Sequence, residues 1–357
     1  MRKYIFVEGR MPIVCENHWR PSGLFSDVPL PVVDAANVAR MLKLCPAHCE
    51  TPMRSSPALS DLAGVDAVWI KDERQRMGLG SFKALGAAFA IARAAAEVGA
   101  EDWESALAGR TFVTASAGNH GLSVAAGARV FGAQAVVYIA ETVPDAFALR
   151  LASFGARVAR EGSNYQASMT AAETAARANG WTLLSDSSWD GYTEPARHIM
   201  EGYLQLAVEA VGQVEEPPTH ILLQAGVGGM AAAVAAYARH VWGDRPQIIV
   251  VEPAYAPALF ESIRDGRIVT ADGPDSIMGR LDCKTPSIVS LAGLSRDADL
   301  FATISEEEAR TGIATLAQHG FETTPSGGAG LAALLAGLGL GQGARVLAVL
   351  SEGPEDG

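Results

Sequence analysis

The sequence has no long apolar run, no basic block and few cysteines. No window approaches the roughly 20 consecutive apolar residues of a membrane-spanning helix, so we expect no membrane partner. The 357 residues carry a formal net charge of -12, and no basic block could neutralise a phosphate backbone. We therefore expect no nucleic-acid partner. The start of the chain lacks the apolar stretch of a secretory signal, which favours a cytoplasmic protein.

The sequence contains only four cysteines, Cys15, Cys45, Cys49 and Cys283, too few for a disulfide framework in so long a chain. The segment "CPAHC" groups two of them with His48 and resembles half of a metal site. No second ligand pair follows at the spacing of a zinc finger. We therefore predict no metal site.

Short β-rich runs alternate with long alanine-rich runs along the chain. The runs "DAVWIK", "TFVTA" and "AQAVVYIA" each lead into a helical stretch, and the pattern recurs after "WTLLSD", "HILLQAG" and "QIIVVEP" and closes on "ARVLAVLSEG". These strands are continuous apolar runs, as expected where helices cover both faces of a parallel sheet. The length exceeds the size at which one core stops growing. The sequence therefore predicts an α/β protein of two domains, with its site at the carboxyl ends of the strands.

Three loops follow strands in this pattern: "TASAGNHG" at 114–121, "QAGVGGM" at 224–230 and "LSEG" at 350–353. In the second loop, Gly226, Gly228 and Gly229 let the backbone approach an anion at the start of a helix. This arrangement fits a phosphate-binding turn, although similar turns pack helices on strands in many folds. A dinucleotide site would also need an acid about 20 residues later, and Glu252 lies at about that distance. The glycine loop alone leaves these alternatives open.

Lys83 is the one basic residue in the stretch "SFKALGAAFA". The helix dipole disfavours a cation at a helix start, so this position needs compensation. One interpretation is a solvated lysine on a surface helix. The other is an amine beside Phe82 and Leu85 whose neutral form attacks a carbonyl to give a Schiff base.

The segment "SAGNHG" supplies groups that a Schiff-base site would need nearby. It crosses from a strand to a helix, so its backbone N–H groups can bind a carboxylate, and the Asn119 amide can bind a phenolic oxygen. His120 is either a base or a packed histidine that holds the loop. We expect substrate contacts from Ser116, Ala117, Gly118 and His120.

In their order and spacing, "SFKALG", "SAGNHG" and "GVGG" resemble the motifs of fold-type II pyridoxal-phosphate enzymes, the family related to the tryptophan-synthase β-subunit. The resemblance implies that Lys83 carries pyridoxal 5'-phosphate as a Schiff base and that Asn119 faces its phenolic oxygen. Ser351, in "VLSEG", matches the hydroxyl residue that faces the pyridine nitrogen. The implied phosphate-binding loop comprises Gly226, Val227, Gly228, Gly229 and Met230.

The resemblance also implies a fold and an assembly. The expected fold has two open, mainly parallel twisted sheets flanked by helices, with the cofactor in the cleft between two domains. A large cofactor-binding domain would comprise 1–84 and 191–357, and a small substrate-carboxylate domain would comprise 85–190. The family further implies a homodimer.

Longer segments resemble the diaminopropionate ammonia-lyases within this family. These segments are "KDERQRMGLGSFKALG", "SDSSWDGYTEPARHIMEGY", "SIMGRLDCKTPS" and "LSEGPEDG". Asp186 matches an active-site carboxylate and joins Lys83 as the second expected catalytic residue. Trp189, Tyr192 and Glu194 either line the substrate entrance or pack between the domains.

The resemblance implies a lyase that removes ammonia from 2,3-diaminopropionate or a similar β-substituted alanine, a small amino-acid substrate. Lys83 would take the Cα proton, and loss of the β-amine would give an aminoacrylate that hydrolyses to pyruvate and a second ammonia. The departing amine would receive a proton from Asp186 or from the cofactor phosphate.

One departure from the lyase pattern is Ala117. The lyases have an aspartate at this position, associated with the D-isomer of the substrate, whereas alanine is typical of a threonine dehydratase. A threonine or serine dehydratase is therefore an alternative, as is a β-replacement synthase similar to cysteine synthase. A racemase would need a second base opposite Lys83, and the sequence does not identify one.

Overall fold

The computed structural model describes residues 12–43, 45, 47–100 and 102–354. These residues divide into two compact units: the first contains 12–33, 50–75 and 206–354, and the second contains 34–49 and 76–205, apart from the gaps already given. The last three residues of "LSEGPEDG" lie outside the described residues, as do residues 1–11 of the predicted large domain.

The described strands are mostly short apolar runs. They are β1 Ile13–Glu16, β2 Met53–Ser55, β3 Ala67–Asp72, β4 Thr111–Ala115, β5 Gln134–Ile139, β6 Ala156–Arg160, β7 Thr182–Leu183, β8 His220–Gln224, β9 Gln247–Pro253, β10 Leu300–Ile304 and β11 Arg345–Leu350.

The described helices are rich in alanine and follow most of these strands. They are α1 Ala36–Leu42, α2 Pro57–Ala63, α3 Lys83–Val98, α4 Asn119–Val130, α5 Asp145–Ser153, α6 Tyr165–Asn179, α7 Glu194–Gln213, α8 Gly229–Trp242, α9 Ala258–Asp265, α10 Ile288–Asp297, α11 Glu306–Gln318 and α12 Ala329–Gly337. Among the described helices, none has the length and apolar character needed to cross a membrane.

The first unit contains a seven-stranded sheet in the order β1-β10-β9-β8-β11-β3-β2. The edge strands β1 and β2 pair antiparallel with their neighbours, and the inner strands pair parallel. Residues of β8, β9 and β11 are almost all buried, since helices lie on the sheet. The central parallel strands therefore direct their carboxyl ends, including Gln224 and Leu350, to one edge.

The second unit contains a four-stranded parallel sheet in the order β6-β5-β4-β7. Every residue of β4 is buried. A cluster that includes Val113, Val136 and Met169 joins the sheet to α6. The carboxyl end of β4 leads directly into the "SAGNHG" loop.

The two mainly parallel sheets with flanking helices confirm the predicted fold class. The compact units do not end where the sequence prediction ended its domains, because 34–49, 76–84 and 191–205, apart from the gaps already given, belong to the second unit. The assignment of one domain to the cofactor and the other to the substrate carboxylate stays a prediction.

Candidate active site

Lys83 is the first residue of α3 and lies beside two aromatic rings. Its side chain is 22% exposed, and its Nζ lies 5.2 Å from the centre of the Phe82 ring and 5.8 Å from that of Tyr203. The two rings meet edge-on with their centroids 4.9 Å apart. These surroundings do not fit a solvated lysine on a surface helix.

Asp186 forms an ion pair with Lys83 through its Oδ2 atom. Burial alone would raise the pKa of Asp186, but the Lys83 ammonium and the hydrogen bond from Lys83 hold it well below its usual range. Asp186 is therefore an anion that accepts hydrogen bonds and has no proton to donate. The structure brings together the two residues that the sequence predicts to be catalytic.

A set of hydrogen bonds fixes the backbone just before Asp186. The Tyr192 hydroxyl accepts a hydrogen bond from the Ser185 N–H at 2.9 Å and donates one to the Leu183 carbonyl at 2.9 Å. Its ring stacks on Trp189 with the centroids 4.4 Å apart. Tyr192 and Trp189 therefore hold the segment that carries Asp186, a role that the sequence analysis did not identify.

His120 also fixes this segment. Its Nε2 lies 2.9 Å from the Leu184 carbonyl oxygen, and because a carbonyl only accepts, we assign the proton to Nε2. Burial lowers the pKa of His120, with Lys83 acting in the same direction and Asp186 opposing, which favours the neutral ring. The Nδ1 atom has no hydrogen-bond partner among the described residues. The packed histidine of the sequence analysis thus retains one unused acceptor.

The "SAGNHG" loop joins β4 to α4 in the same unit. Asn119, the first residue of α4, is buried, while Ser116, Ala117 and Gly118 are half-buried. Gly118 is the N-cap and provides no side-chain cap, and the first N–H groups of a helix have no partner within it. Backbone donors are therefore placed at this loop, and the substrate contacts assigned to it stay predictions.

Tyr203, on α7, belongs to the same cluster and was missed by the sequence analysis. Its side chain is 1% exposed, and its hydroxyl makes no hydrogen bond of ordinary length to a described residue. Burial raises the pKa of Tyr203 to about 12, with the Lys83 ammonium acting in the opposite direction. The one available signal was its place at the end of "SDSSWDGYTEPARHIMEGY".

The glycine loop "QAGVGGM" lies in the first unit between β8 and α8. Gly228, the N-cap of α8, has φ of 93°, a left-handed conformation that favours glycine. A Cβ atom at Gly226 would lie 3.0 Å from the Cys283 Sγ and 3.1 Å from the Arg280 carbonyl oxygen. The loop therefore needs glycine at both positions, and it opens a helix whose N-terminal N–H groups suit an anion.

Ser351 follows β11 in the first unit and is buried. Its N–H donates to the Gly327 carbonyl at 3.0 Å, and its Oγ lies 3.5 Å from the same oxygen. Because a contact of 3.5 Å is at the limit of a hydrogen bond, the hydroxyl can take a better partner. The next residue, Glu352, accepts a hydrogen bond from the Arg280 guanidinium at 2.6 Å.

Glu252 decides against the dinucleotide alternative. Its two carboxylate oxygens accept hydrogen bonds from the N–H groups of Leu259 at 2.8 Å and Phe260 at 2.7 Å. The side chain is fully buried, and burial raises its pKa to about 8. Since Glu252 caps α9, its carboxylate is not available to a ribose.

The segment "CPAHC" is described except for Pro46. Within the described ranges, no group of three or more His, Cys, Asp and Glu side chains could hold a metal ion. Cys45, His48 and Cys49 therefore belong to no such group.

Comparison with known proteins relates this arrangement to one enzyme family. The model of the family described as "Pyridoxal-phosphate dependent enzyme" matches residues 44–352. A diaminopropionate ammonia-lyase of Salmonella typhimurium is 36% identical over 270 residues, covering 70% of this chain and 67% of that protein. A mouse L-serine dehydratase/L-threonine deaminase is 30% identical over 264 residues, covering 73% and 75%.

A solved structure gives the same relationship in three dimensions. The crystal structure of Escherichia coli diaminopropionate ammonia lyase in complex with an aminoacrylate-PLP azomethine reaction intermediate has a TM-score of 0.85 and 30% sequence identity to this chain. The match covers 96% of this chain and 94% of that one.

Proposed function

Because the chain belongs to the family of pyridoxal-phosphate dependent enzymes, we propose that it is a lyase that eliminates ammonia from L-2,3-diaminopropionate. Hydrolysis of the enamine that remains gives pyruvate and a second molecule of ammonia. The likeness to diaminopropionate ammonia-lyases in sequence and structure supports this reaction class.

The described residues fit pyridoxal 5'-phosphate. The first unit supplies a backbone cradle for the phosphate, where a Cβ atom at Gly226 would come within 3.0 Å of Cys283, and the Ser351 hydroxyl for the ring nitrogen. The second unit supplies the Lys83 amine for the covalent link and the Asn119 amide for the phenolic oxygen. On this assignment the first unit would bind the phosphate and the ring nitrogen of the cofactor, and the second unit would carry Lys83 and bind the substrate carboxylate.

Bound pyridoxal phosphate would supply an electron sink for the electron pair left on Cα. The Lys83 amine would take the Cα proton as a general base. Backbone N–H groups of Ser116, Ala117 and Gly118, at the start of α4, would bind the substrate carboxylate. His120 and Tyr192 would keep Asp186 at Lys83 through their bonds to 183–185.

The ion pair of Asp186 with Lys83 is the observation that carries the choice of substrate. An anion attracts the β-ammonium group of diaminopropionate, which brings its own proton and leaves as neutral ammonia. The β-hydroxyl of serine or threonine would instead need a proton donor as it leaves, and the ionised Asp186 offers none. An anionic Asp186 therefore favours elimination of an amine over dehydration.

Dehydration of serine or threonine is the second candidate, and one residue favours it. Ala117 stands where the lyases have an aspartate, and the mouse serine and threonine enzyme is 30% identical to this chain. Such an enzyme would release ammonia and a 2-oxo acid in equal amounts.

The test is a substrate panel with separate assays for ammonia and 2-oxo acid. We expect L-2,3-diaminopropionate to have the highest kcat/KM and to give twice as much ammonia as pyruvate without any added thiol or amine. Lys83→Ala protein measures the background from non-enzymatic breakdown. Faster turnover of threonine or serine would replace the proposal with a dehydratase, and pyruvate release only after addition of a thiol would favour a synthase.

We also propose that the protein is a cytoplasmic homodimer, as the family resemblance suggests. Light scattering on the purified protein would then give twice the chain mass of 37.3 kDa. A mass equal to one chain would contradict the dimer.

A further inference from the structure

Tyr203 has a buried oxygen atom that packing does not require. The residue is 1% exposed, and its hydroxyl makes no hydrogen bond of ordinary length to a described residue. A phenylalanine would fill nearly the same space, and a buried hydroxyl without a partner is costly. The presence of this oxygen beside Lys83 therefore calls for a function.

Two glycines bring Tyr203 to the first turn of α3. A Cβ atom at Gly86 would lie 2.5 Å from the Tyr203 Cε1, and one at Gly202 would lie 2.4 Å from the Leu85 carbonyl oxygen. Helices α3 and α7 can thus approach closely only because both positions are glycine. This contact sets the ring against Phe82 and beside the Lys83 amine.

The charged groups that act on the phenol are Lys83 and Asp186. Burial raises the pKa of Tyr203 to about 12 and Asp186 acts in the same direction, whereas Lys83 lowers it. The phenol is therefore neutral at working pH, and its oxygen keeps lone pairs that can accept a hydrogen bond.

A neutral lysine amine has two N–H donors and one lone pair, arranged tetrahedrally with the Cε atom. The Asp186 carboxylate can accept one N–H. A second acceptor would fix the remaining N–H and with it the direction of the lone pair. A base with a fixed lone pair reacts faster than one that rotates, because less orientation is lost on the way to the transition state.

We propose that the Tyr203 hydroxyl is this second acceptor and aims the lone pair of Lys83 at the substrate Cα. Tyr203 is thus a positioning residue that acts through Lys83. The proposal rests on the role of base proposed for Lys83 and adds to it the residue that orients the base.

The test compares Tyr203→Phe with Tyr138→Phe. Tyr138 is a tyrosine of the same unit, 8% exposed within the apolar cluster that joins the sheet to α6. We expect Tyr203→Phe to lower kcat for L-2,3-diaminopropionate by about tenfold, as expected for the loss of one hydrogen bond, with KM little changed. The kinetic isotope effect with Cα-deuterated substrate should increase, because proton removal becomes slower relative to the other steps.

A second readout does not depend on turnover. The holoenzyme is stripped with hydroxylamine and reloaded with pyridoxal phosphate, and the return of absorbance reports the attack of the Lys83 amine on the aldehyde. This rate should fall several-fold in Tyr203→Phe and stay unchanged in Tyr138→Phe. The melting temperature of Tyr203→Phe should equal or exceed that of the wild type, because the lost oxygen has no structural partner.

Wild-type values of kcat, isotope effect and reloading rate in Tyr203→Phe would overturn the proposal. A lower melting temperature with an unchanged isotope effect and reloading rate would also overturn it, since the hydroxyl would then be structural. Failure of the wild type to act on diaminopropionate would refute the proposed function, and the reloading rates would still decide the role of Tyr203.

Discussion

The Lys83 ammonium forms an ion pair with the Asp186 carboxylate, although 103 residues separate the two in the chain. Lys83 starts α3, and Asp186 lies just after the short strand β7, on a segment that His120 and Tyr192 hold by hydrogen bonds. The ion pair places the Lys83 amine, the proposed base, next to the Asp186 anion that orients it. This relationship underlies the reaction proposed for the chain.

Replacing Asp186 by asparagine keeps the shape of the side chain and removes its charge. We expect Asp186→Asn to lower kcat/KM for L-2,3-diaminopropionate by about 100-fold, because the amine loses the anion that orients it and the substrate ammonium loses its partner. Steady-state kinetics measure the loss. Asp190→Asn, a change in the same loop, is the control and should stay close to the wild type. Equal activity of the two variants would show that Asp186 has no part in catalysis.

Ala117→Asp tests the stereochemical consequence of the departure from the lyase pattern. The wild type should act on L-2,3-diaminopropionate and leave the D-isomer almost untouched, since no carboxylate stands at position 117. The variant should gain activity on the D-isomer, measured as pyruvate released from each isomer. Ala117→Asn controls for the size of the side chain and should gain none. Efficient turnover of the D-isomer by the wild type would contradict this role of Ala117.

Gly226→Ala tests the phosphate cradle in the first unit. The added Cβ would meet the Cys283 Sγ at 3.0 Å and the Arg280 carbonyl at 3.1 Å, so the loop must shift. We expect the dissociation constant for pyridoxal phosphate, followed by absorbance, to rise by at least about tenfold. Gly212→Ala on α7 is the matched control, because its Cβ would meet nothing within 4 Å. Equal affinities in the two variants would place the phosphate elsewhere.

His120 should make stability depend on pH. Its pKa in the folded protein is lowered, so the unfolded chain binds the proton more readily, and this contribution to stability is complete above the usual histidine value of about 6.5. It is lost as the pH falls through the folded value. Urea unfolding of the wild type should therefore show a lower free energy of unfolding at about pH 5.5 than at about pH 7.5.

His120→Gln keeps a donor for the Leu184 carbonyl and cannot titrate. The loss of stability between the two pH values should be smaller in this variant than in the wild type. His198 and His220, whose pKa values are also lowered, are present in both proteins and cancel in the comparison. An identical pH dependence in the two proteins would contradict the buried neutral state of His120.

The sequence predicts the parts of the fold that depend on local pattern. Runs such as "TFVTA" and "QIIVVEP" are β4 and β9, because strands covered on both faces must be apolar throughout. "WTLLSD" gives only the two-residue strand β7, since Asp186 and the residues before it are held in a loop. Strand β6, "ARVAR", was not predicted because it is half exposed and alternates with charge. The antiparallel edge strands β1 and β2 are only four and three residues long and largely exposed, so neither forms a sustained apolar run.

The predicted site is less complete than the predicted fold for a physical reason. Lys83, Asn119 and the glycine loop stand in local motifs, so the sequence identifies them as candidates. The position of Tyr203 depends on the contact of α3 with α7, which involves Gly86 and Gly202 on separate helices. No local pattern reports such a contact. No local pattern predicts the role of Tyr192 either, because its hydroxyl bonds to backbone groups of Ser185 and Leu183, seven and nine residues earlier in the chain.

Reduction with borohydride identifies the lysine that carries the cofactor. The holoenzyme is treated with borohydride and digested, and mass spectrometry identifies the lysine that carries the reduced cofactor. We predict that Lys83 carries it, while Lys71, fully buried and paired with Glu209 at 2.7 Å, stays unmodified. A cofactor fixed to Lys71 or to any other lysine, or no fixed cofactor at all, would refute the role of Lys83.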